Sequence, residues 1–347
     1  MTSDLVKPLK PRRWRRPLTA AILLIVVGIA GAFADAYWKS KQEDAAIERL
    51  SGVASFSEWH APLLSLPRFI PGRIQSLLPH RREILSVEFR PGTLNPGAYL
   101  RDIPSLRLSS INTNQLDLTP DDLEQFAHHP SLRSMTIREC QLAEGSLNRL
   151  QNLPLLTYLS LERSTMSSHD EIDFPTLPHL ISINLSRSNV SERTLRRISD
   201  HPNLRRIDLN SSTVSDETLK HLRRLPQLEK IHLGKTWITG IGLLNLEAPV
   251  TKIYLYGTNA DDAAMTVISG LRSLRSLDLQ NTRITTMGVR KLRQLPNLQE
   301  LDLDGCPLGD EVREVLSAMP NLKHWTAKQT RVSLPNTSGL GFAPDVE

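Results

Sequence analysis

The spacing of apolar residues changes partway through residues 202–225, PNLRRIDLNSSTVSDETLKHLRRL. In the first half, which reads L-x-x-I-x-L, Ile207 and Leu209 are two residues apart, the period of a strand with one buried face. In the second half leucines recur every three residues, which is typical of a short helix. Ser215 between the halves is a suitable N-cap, with acidic residues following it. The segment therefore predicts one strand, one turn and one helix.

Such a unit cannot be stable alone. Burying its apolar side chains yields about 10–15 kcal/mol, whereas ordering so short a chain costs on the order of 30 kcal/mol. It needs neighbours of the same kind. Copies begin at Pro130, Pro154, Pro178, Pro202, Pro226, Pro249, Arg272 and Pro296, with a partial copy at Pro320 and a degenerate first copy over 106–129.

One position in the copies always holds a small residue with a hydroxyl or a thiol. It is occupied by Cys140, Ser164, Ser188, Ser212, Thr236, Thr258, Thr282, Cys306 and Thr330. A buried turn has backbone groups that need partners, and a column of short donors supplies them. With strands about 4.8 Å apart, the two cysteines are roughly 30 Å from each other, so both are interpreted as structural thiols and not as a disulfide.

The consensus L-x-x-L-x-L-x-x-(T/S/C)-x-(I/V/L) resembles the leucine-rich-repeat family. Helix halves such as STVSDETLKHLRRL are similar to the 24-residue bacterial and F-box-associated subtype. The resemblance implies an α/β leucine-rich-repeat solenoid over 106–332, with parallel strands on a concave face and short helices on a convex face. An apolar segment, an A-A-I-E-x-L segment and then repeats also resemble bacterial membrane-anchored leucine-rich-repeat proteins.

The N-terminal region predicts a membrane segment. Residues 1–17 form a basic tail expected in the cytoplasm, and an uncharged run follows. We expect a transmembrane anchor over 18–38, which places the repeats outside the cytoplasm. The alternative is a signal peptide cleaved near Ala34, which gives a secreted or periplasmic protein.

Two further regions lie outside the repeats. Residues 39–105 are expected to cap the first repeat, because an uncovered core face would aggregate. A short amphipathic helix over 42–53 and a first strand over 84–89 are predicted there. Residues 333–347 are expected to be a disordered tail.

Charge argues against nucleic acid as a partner. The net charge of the chain is +5, and the basic tail alone carries that excess. The rest of the chain is neutral, without the basic field of a nucleic-acid binder. Gly234-Lys235-Thr236 lacks the earlier glycine of a phosphate-binding loop. No catalytic residue, metal site or cofactor is predicted.

The strand residues that point away from the core remain as candidates for binding. We define a basic–aromatic patch by Arg206, Lys230, His232, Lys252, Tyr254 and Tyr256. We define an acidic patch by Asp278, Glu300, Asp302 and Asp304. Tyrosine and arginine are enriched in binding hot spots. The alternative is an ordinary solvated face of mixed charge.

The predicted function is therefore non-catalytic: a membrane-tethered module that binds a protein or peptide on its concave face. One alternative, by analogy with F-box proteins, is a substrate adaptor of a ubiquitin ligase, although no F-box-like segment precedes the repeats. A structural envelope protein is another. An enzyme with its site on the concave face is the least supported, because no catalytic motif occurs.

Overall fold

The computed structural model describes residues 44–62, 80–101, 108–143, 145–166 and 174–330, with a few positions between 31 and 42. The predicted basic tail, nearly all of the predicted anchor and the predicted C-terminal tail lie outside the described residues. Among the residues that are described, no helix has the length and apolar character needed to cross a membrane.

The chain divides into two compact units. The smaller unit comprises residues 1–49 and 59–83. Its described part includes helical residues 44–49, in which Ala46 and Ile47 are buried, as the amphipathic pattern predicted. The larger unit comprises residues 50–58 and 84–347 and contains the repeats.

The described residues include fifteen strands. Their bounds are Ala54–Pro62 (β1), His80–Phe89 (β2), Ser110–Asn114 (β3), Asp117–Leu118 (β4), Ser134–Arg138 (β5), Gln141–Leu142 (β6), Tyr158–Ser160 (β7), Thr165–Met166 (β8), Ser182–Asn184 (β9), Arg206–Asp208 (β10), Lys230–His232 (β11), Lys252–Tyr254 (β12), Ser276–Asp278 (β13), Glu300–Asp302 (β14) and His324–Thr326 (β15). In the described residues one sheet has the order β1-β2-β3-β5-β7-β9-β10-β11-β12-β13-β14-β15, and β4-β6-β8 form a second, small sheet. From β2 onward neighbouring strands pair in parallel, which the repeat pattern predicted.

Short helices connect these strands. From residue 84 onward the described α-helices are Pro96–Arg101, Pro120–Ala127, Glu192–Ile198, Asp216–Leu219, Asp262–Ile268, Thr286–Lys291 and Val312–Ser317, and the described 3-10 helices are Ser146–Asn152, Lys220–Arg224, Ile241–Leu243 and Leu292–Gln294. In the opening segment Ser215 caps its helix by accepting a hydrogen bond from the Thr218 N–H, as predicted. The helix expected there is split, because its second part tightens into a 3-10 turn.

The core lies between the sheet and the helices. Central strand residues such as Ile207, Ile231 and Leu277 are buried, and so are helix residues such as Leu219 and Val289. The strand residues on either side of these central positions point the other way. We call the surface that they form the strand face.

The main strand of each repeat ends in the same left-handed turn. The residue before the hydroxyl and thiol column has a positive φ, for example +55° at Ser211 and +55° at Lys235. The Ser211 N–H donates to the Gly234 carbonyl at 2.8 Å, and the Lys235 N–H donates to the Tyr256 carbonyl at 2.7 Å. The turn thus aims one backbone donor at the next repeat, which offsets the cost of an unfavourable φ.

The column itself is confirmed. The Ser212 hydroxyl donates to the Leu209 carbonyl at 2.6 Å, and the Cys306 thiol donates to the Leu279 carbonyl at 3.1 Å. Both cysteines are free and buried, and burial raises the pKa of each thiol. Their role as structural thiols therefore agrees with their contacts.

Candidate functional site on the strand face

The strand register brings residues of the predicted basic–aromatic patch next to one another. Arg206, Lys230 and Lys252 are register partners on β10, β11 and β12. Asp208, His232 and Tyr254 form the next row on the same strands. Because parallel strands lie about 4.8 Å apart, each row places three side chains within about 10 Å. Residues distant in sequence thus become neighbours on one surface.

Two ring contacts order the aromatic part of the patch. The His232 and Tyr254 rings stack, with centroids 4.3 Å apart and planes inclined by 24°. The Tyr256 ring lies over Gly234, where an added Cβ would be 2.2 Å from Tyr256 Cε1. Gly234 is therefore required to seat this tyrosine.

A depression of about 390 Å³ opens beside these rings. It is lined by Tyr158, Ser182, Ile183, Asn184, Arg206, Asp208 and His232. It brings Arg206 and His232 together with residues outside the predicted patch, notably Tyr158, Asn184 and Asp208. These three occupy outward strand positions in the sequence, but grouping by charge and aromaticity passed them over.

Asp208 is the carboxylate of this depression. Its Oδ1 accepts a hydrogen bond from the Asn210 N–H at 2.9 Å, and its Oδ2 lies 3.9 Å from His232 Nδ1. Burial raises the pKa of the Tyr256 phenol, and the nearby carboxylates of Asp208 and Asp278 raise it further. At neutral pH the phenol therefore carries its proton and can act as a hydrogen-bond donor.

The predicted acidic patch is only partly a surface. Asp278 and Asp302 are 6% and 4% exposed. Asp302 accepts hydrogen bonds from the Thr326 hydroxyl at 2.6 Å and from Gln280 Nε2 at 2.7 Å. Burial raises the pKa of Asp278 to about 6 and raises that of Asp302 as well. Neighbouring side chains cover these two carboxylates, so the expectation of an exposed acidic patch is wrong for them.

Glu300 and Asp304 are part-exposed and remain available at the surface. Asp304 also accepts a hydrogen bond from the Lys328 N–H. In the described part of the chain no three acidic, histidine or cysteine side chains converge as metal ligands. The strand face thus offers cations, aromatic rings and amide groups for contact with a partner.

Comparison with known proteins bears on the repeats. A family model described as leucine rich repeat matches residues 248–308. Residues 248–308 are leucine-rich repeats. A search of curated protein sequences found no match.

Solved structures extend the likeness beyond the matched residues. An internalin from Listeria monocytogenes aligns with 67% of this chain at 20% identity and a TM-score of 0.51. The aligned part spans 63% of that internalin's chain. A leucine-rich-repeat protein of Leptospira interrogans aligns with 65% of this chain and 74% of its own, at 17% identity and a TM-score of 0.44. The internalin alignment, together with the parallel sheet, gives this chain a leucine-rich-repeat solenoid fold of the α/β class.

Proposed function

We propose that these leucine-rich repeats bind a protein partner through the strand face, without catalysis. The observation that carries this proposal is the fixed aromatic cluster in which His232 stacks on Tyr254 and Tyr256 lies over Gly234. Rigid aromatic side chains lose little conformational freedom on binding, and tyrosine is a common hot-spot residue. The row Arg206, Lys230 and Lys252 adds positive charge beside the cluster.

The dimensions of the face favour a macromolecular partner. From β7 to β14 the face crosses seven strands, which at about 4.8 Å per step is roughly 29 Å. A peptide or the surface of a folded protein fits such an extent, whereas a small metabolite would contact only a fraction of it.

We further propose that residues 18–38 anchor the chain in a membrane with the repeats outside the cytoplasm. The supporting observation is the uncharged run that follows a basic tail. We assign the repeats to the 24-residue bacterial and F-box-associated subtype on the spacing of their apolar residues. Protease added to sealed membranes tests the topology, because digestion of the repeats from the cytoplasmic side contradicts it. Sequencing the mature N-terminus separates a retained anchor from cleavage near Ala34.

Partner binding is tested by replacing both tyrosines of the cluster. The full chain and its Tyr254→Ala/Tyr256→Ala variant are cross-linked in native membranes, and captured proteins are identified and quantified. We expect the variant to lose at least about tenfold in capture, the usual effect of removing a hot spot. Tyr99→Ala, in a helix outside the strand face, is the matched control. Equal capture by all three proteins, with unchanged circular dichroism, would refute the assignment.

A further inference from the structure

Arg206 differs from other arginines on the sheet. It is half-buried and lines the depression beside Tyr158 and His232. Within the part of the chain that the structure describes, its guanidinium forms no hydrogen bond and no ion pair. Comparable arginines are paired with a glutamate of a neighbouring repeat: Arg138 with Glu162, Arg163 with Glu139, and Arg205 with Glu229. Arg133 and Arg275 also form no ion pair within the described residues, but they are exposed, whereas Arg206 is half-buried.

The Arg206 guanidinium is accessible to water. None of its nitrogens is among the described side-chain atoms that are buried without a partner, and no described residue pairs with it. A carboxylate supplied from outside can therefore form two parallel N–H···O bonds with it, the geometry in which arginine binds most strongly. Arg206 is thus placed to receive a carboxylate and is not part of an internal ion pair.

The walls of the depression suit an acidic side chain. The Asn184 Oδ1 already accepts the Ser186 N–H at 2.9 Å, which leaves the Asn184 amide as a donor. Ser182 adds a hydroxyl. The Tyr158 and His232 rings bound the depression and can pack on the methylene groups of a glutamate or aspartate. These groups provide donors for a carboxylate and apolar surface for its stem. The depression also holds the Asp208 carboxylate, whose Oδ2 lies 3.9 Å from His232 Nδ1.

The positive charges on the neighbouring strands favour more than one acidic residue in the partner. Lys230 and Lys252 continue the row from Arg206 across the next two strands. The outward side chains of β10 to β12 include these three cations and one carboxylate, Asp208. Lys230 and Lys252 each have an interaction within the described residues, but the row keeps a net positive charge, which an acidic chain laid along it complements.

We propose that the partner presents an acidic segment, with one carboxylate bound by Arg206 in the depression and the next acidic residues beside Lys230 and Lys252. This inference rests on the proposed function and specifies the chemistry of its partner. It predicts that binding depends on salt, because the pairs form near the surface. It also predicts that Arg206 contributes more than either lysine, because its site is the more enclosed.

The test uses the full chain in detergent and a fluorescein-labelled peptide of roughly ten glutamates, an extent that spans the row. Binding is followed by fluorescence anisotropy at low and at moderate salt. A lysine peptide and a single-stranded oligonucleotide of similar length are the comparison probes. The variants are Arg206→Gln and Arg206→Lys. Arg205→Gln is the matched control. It makes the same change of charge at the preceding residue, whose exposed ion pair with Glu229 contributes little to stability.

We expect the glutamate peptide to bind the wild-type chain and the Arg205→Gln variant alike. Arg206→Gln should weaken binding roughly tenfold or more, and Arg206→Lys by less, because a lysine keeps the charge but loses the bidentate geometry. Equal loss in Arg205→Gln and Arg206→Gln would overturn the proposal, since only net charge would then matter. Tighter, Arg206-dependent binding of the oligonucleotide would overturn it too.

Failure of this inference is distinguishable from failure of the proposed function. If the peptide does not bind, or Arg206→Gln binds it as wild type does, the acidic segment is refuted. The capture assay with the tyrosine variant still decides whether the strand face binds a protein. Unchanged circular dichroism of Arg206→Gln is expected, because its guanidinium makes no bond within the described residues.

Discussion

One carboxylate joins two consecutive repeats and offers a sharp test of how the solenoid is stabilised. Asp216 Oδ2 accepts hydrogen bonds from the Thr239 N–H at 2.8 Å and from the Thr239 hydroxyl at 2.9 Å. Its Oδ1 accepts the N–H groups of Gly240 and Gly242, each at 3.0 Å. A Cβ added to Gly242 would lie 2.4 Å from the Asp216 carbonyl oxygen, so the two repeats approach too closely for a side chain there.

The stability lost when Asp216 is replaced is estimated from these four hydrogen bonds. A hydrogen bond to a charged group contributes about 1.5–3 kcal/mol. The four do not add fully, because Asp216 is part-exposed and water can reach some donors after truncation. We expect Asp216→Ala to lower the free energy of unfolding by about 3–4 kcal/mol. Asp216→Asn should cost about 1–2 kcal/mol, because its Oδ1 still accepts and its amide then faces the Thr239 N–H.

The assay is urea unfolding of the full chain followed by circular dichroism, comparing midpoints and slopes. Asp200→Ala is the matched control, because Asp200 is exposed and its carboxylate is 3.8 Å from Arg224, a pair worth about 0–1 kcal/mol. The expected order of stability is wild type and Asp200→Ala, then Asp216→Asn, then Asp216→Ala. If Asp216→Ala unfolds at the same midpoint as Asp200→Ala, this carboxylate does not hold the repeats together.

Two further predictions concern the turn and the buried acids. Lys235→Gly should stabilise the fold by about 0.5–1 kcal/mol, because φ is +55° there and glycine adopts that conformation without strain; a lower unfolding midpoint would contradict this. Burial raises the pKa of Asp278 in the folded chain to about 6, above about 3.9 in the unfolded chain. The contribution of Asp278 to stability is therefore greatest below about pH 4 and falls as the pH rises toward about 6. Asp278→Asn, which still accepts the Gln280 N–H, should therefore raise the free energy of unfolding at about pH 7.5 by roughly 1–3 kcal/mol and leave it nearly unchanged at about pH 4. Equal effects at both pH values in urea unfolding would contradict the assigned pKa.

Much of the fold could be predicted because one repeat unit recurs. The alternation at Ile207 and Leu209 predicted their burial, and the serine before the helix predicted the N-cap. The left-handed residue before the column was not predicted, since Ser211 and Lys235 are not residues that favour a positive φ. The turn is imposed by hydrogen bonds to the next repeat, which no local propensity encodes.

The candidate site, like the fold, was predicted only in part. The outward positions were correct, so Arg206, Lys230 and Lys252 share one row as expected. The covering of Asp278 and Asp302 was not predicted, because it depends on Gln280 and Thr326, which belong to different strands. Burial of an outward side chain is set by its lateral neighbours, and these are read only from the register.

By itself the sequence determined the strands, the helices, the buried faces and the hydroxyl and thiol column. These follow from the period of apolar residues within about two dozen positions, because burial of one face is a local requirement repeated along the chain. Only the tertiary structure decided that Tyr256 lies over Gly234 and that Arg206, in a depression it shares with Asp208, has no ion-pair partner among the described residues. Those outcomes depend on the shape and charge of side chains about 24 to 48 positions away, which strand pairing brings into contact and which a single repeat cannot specify.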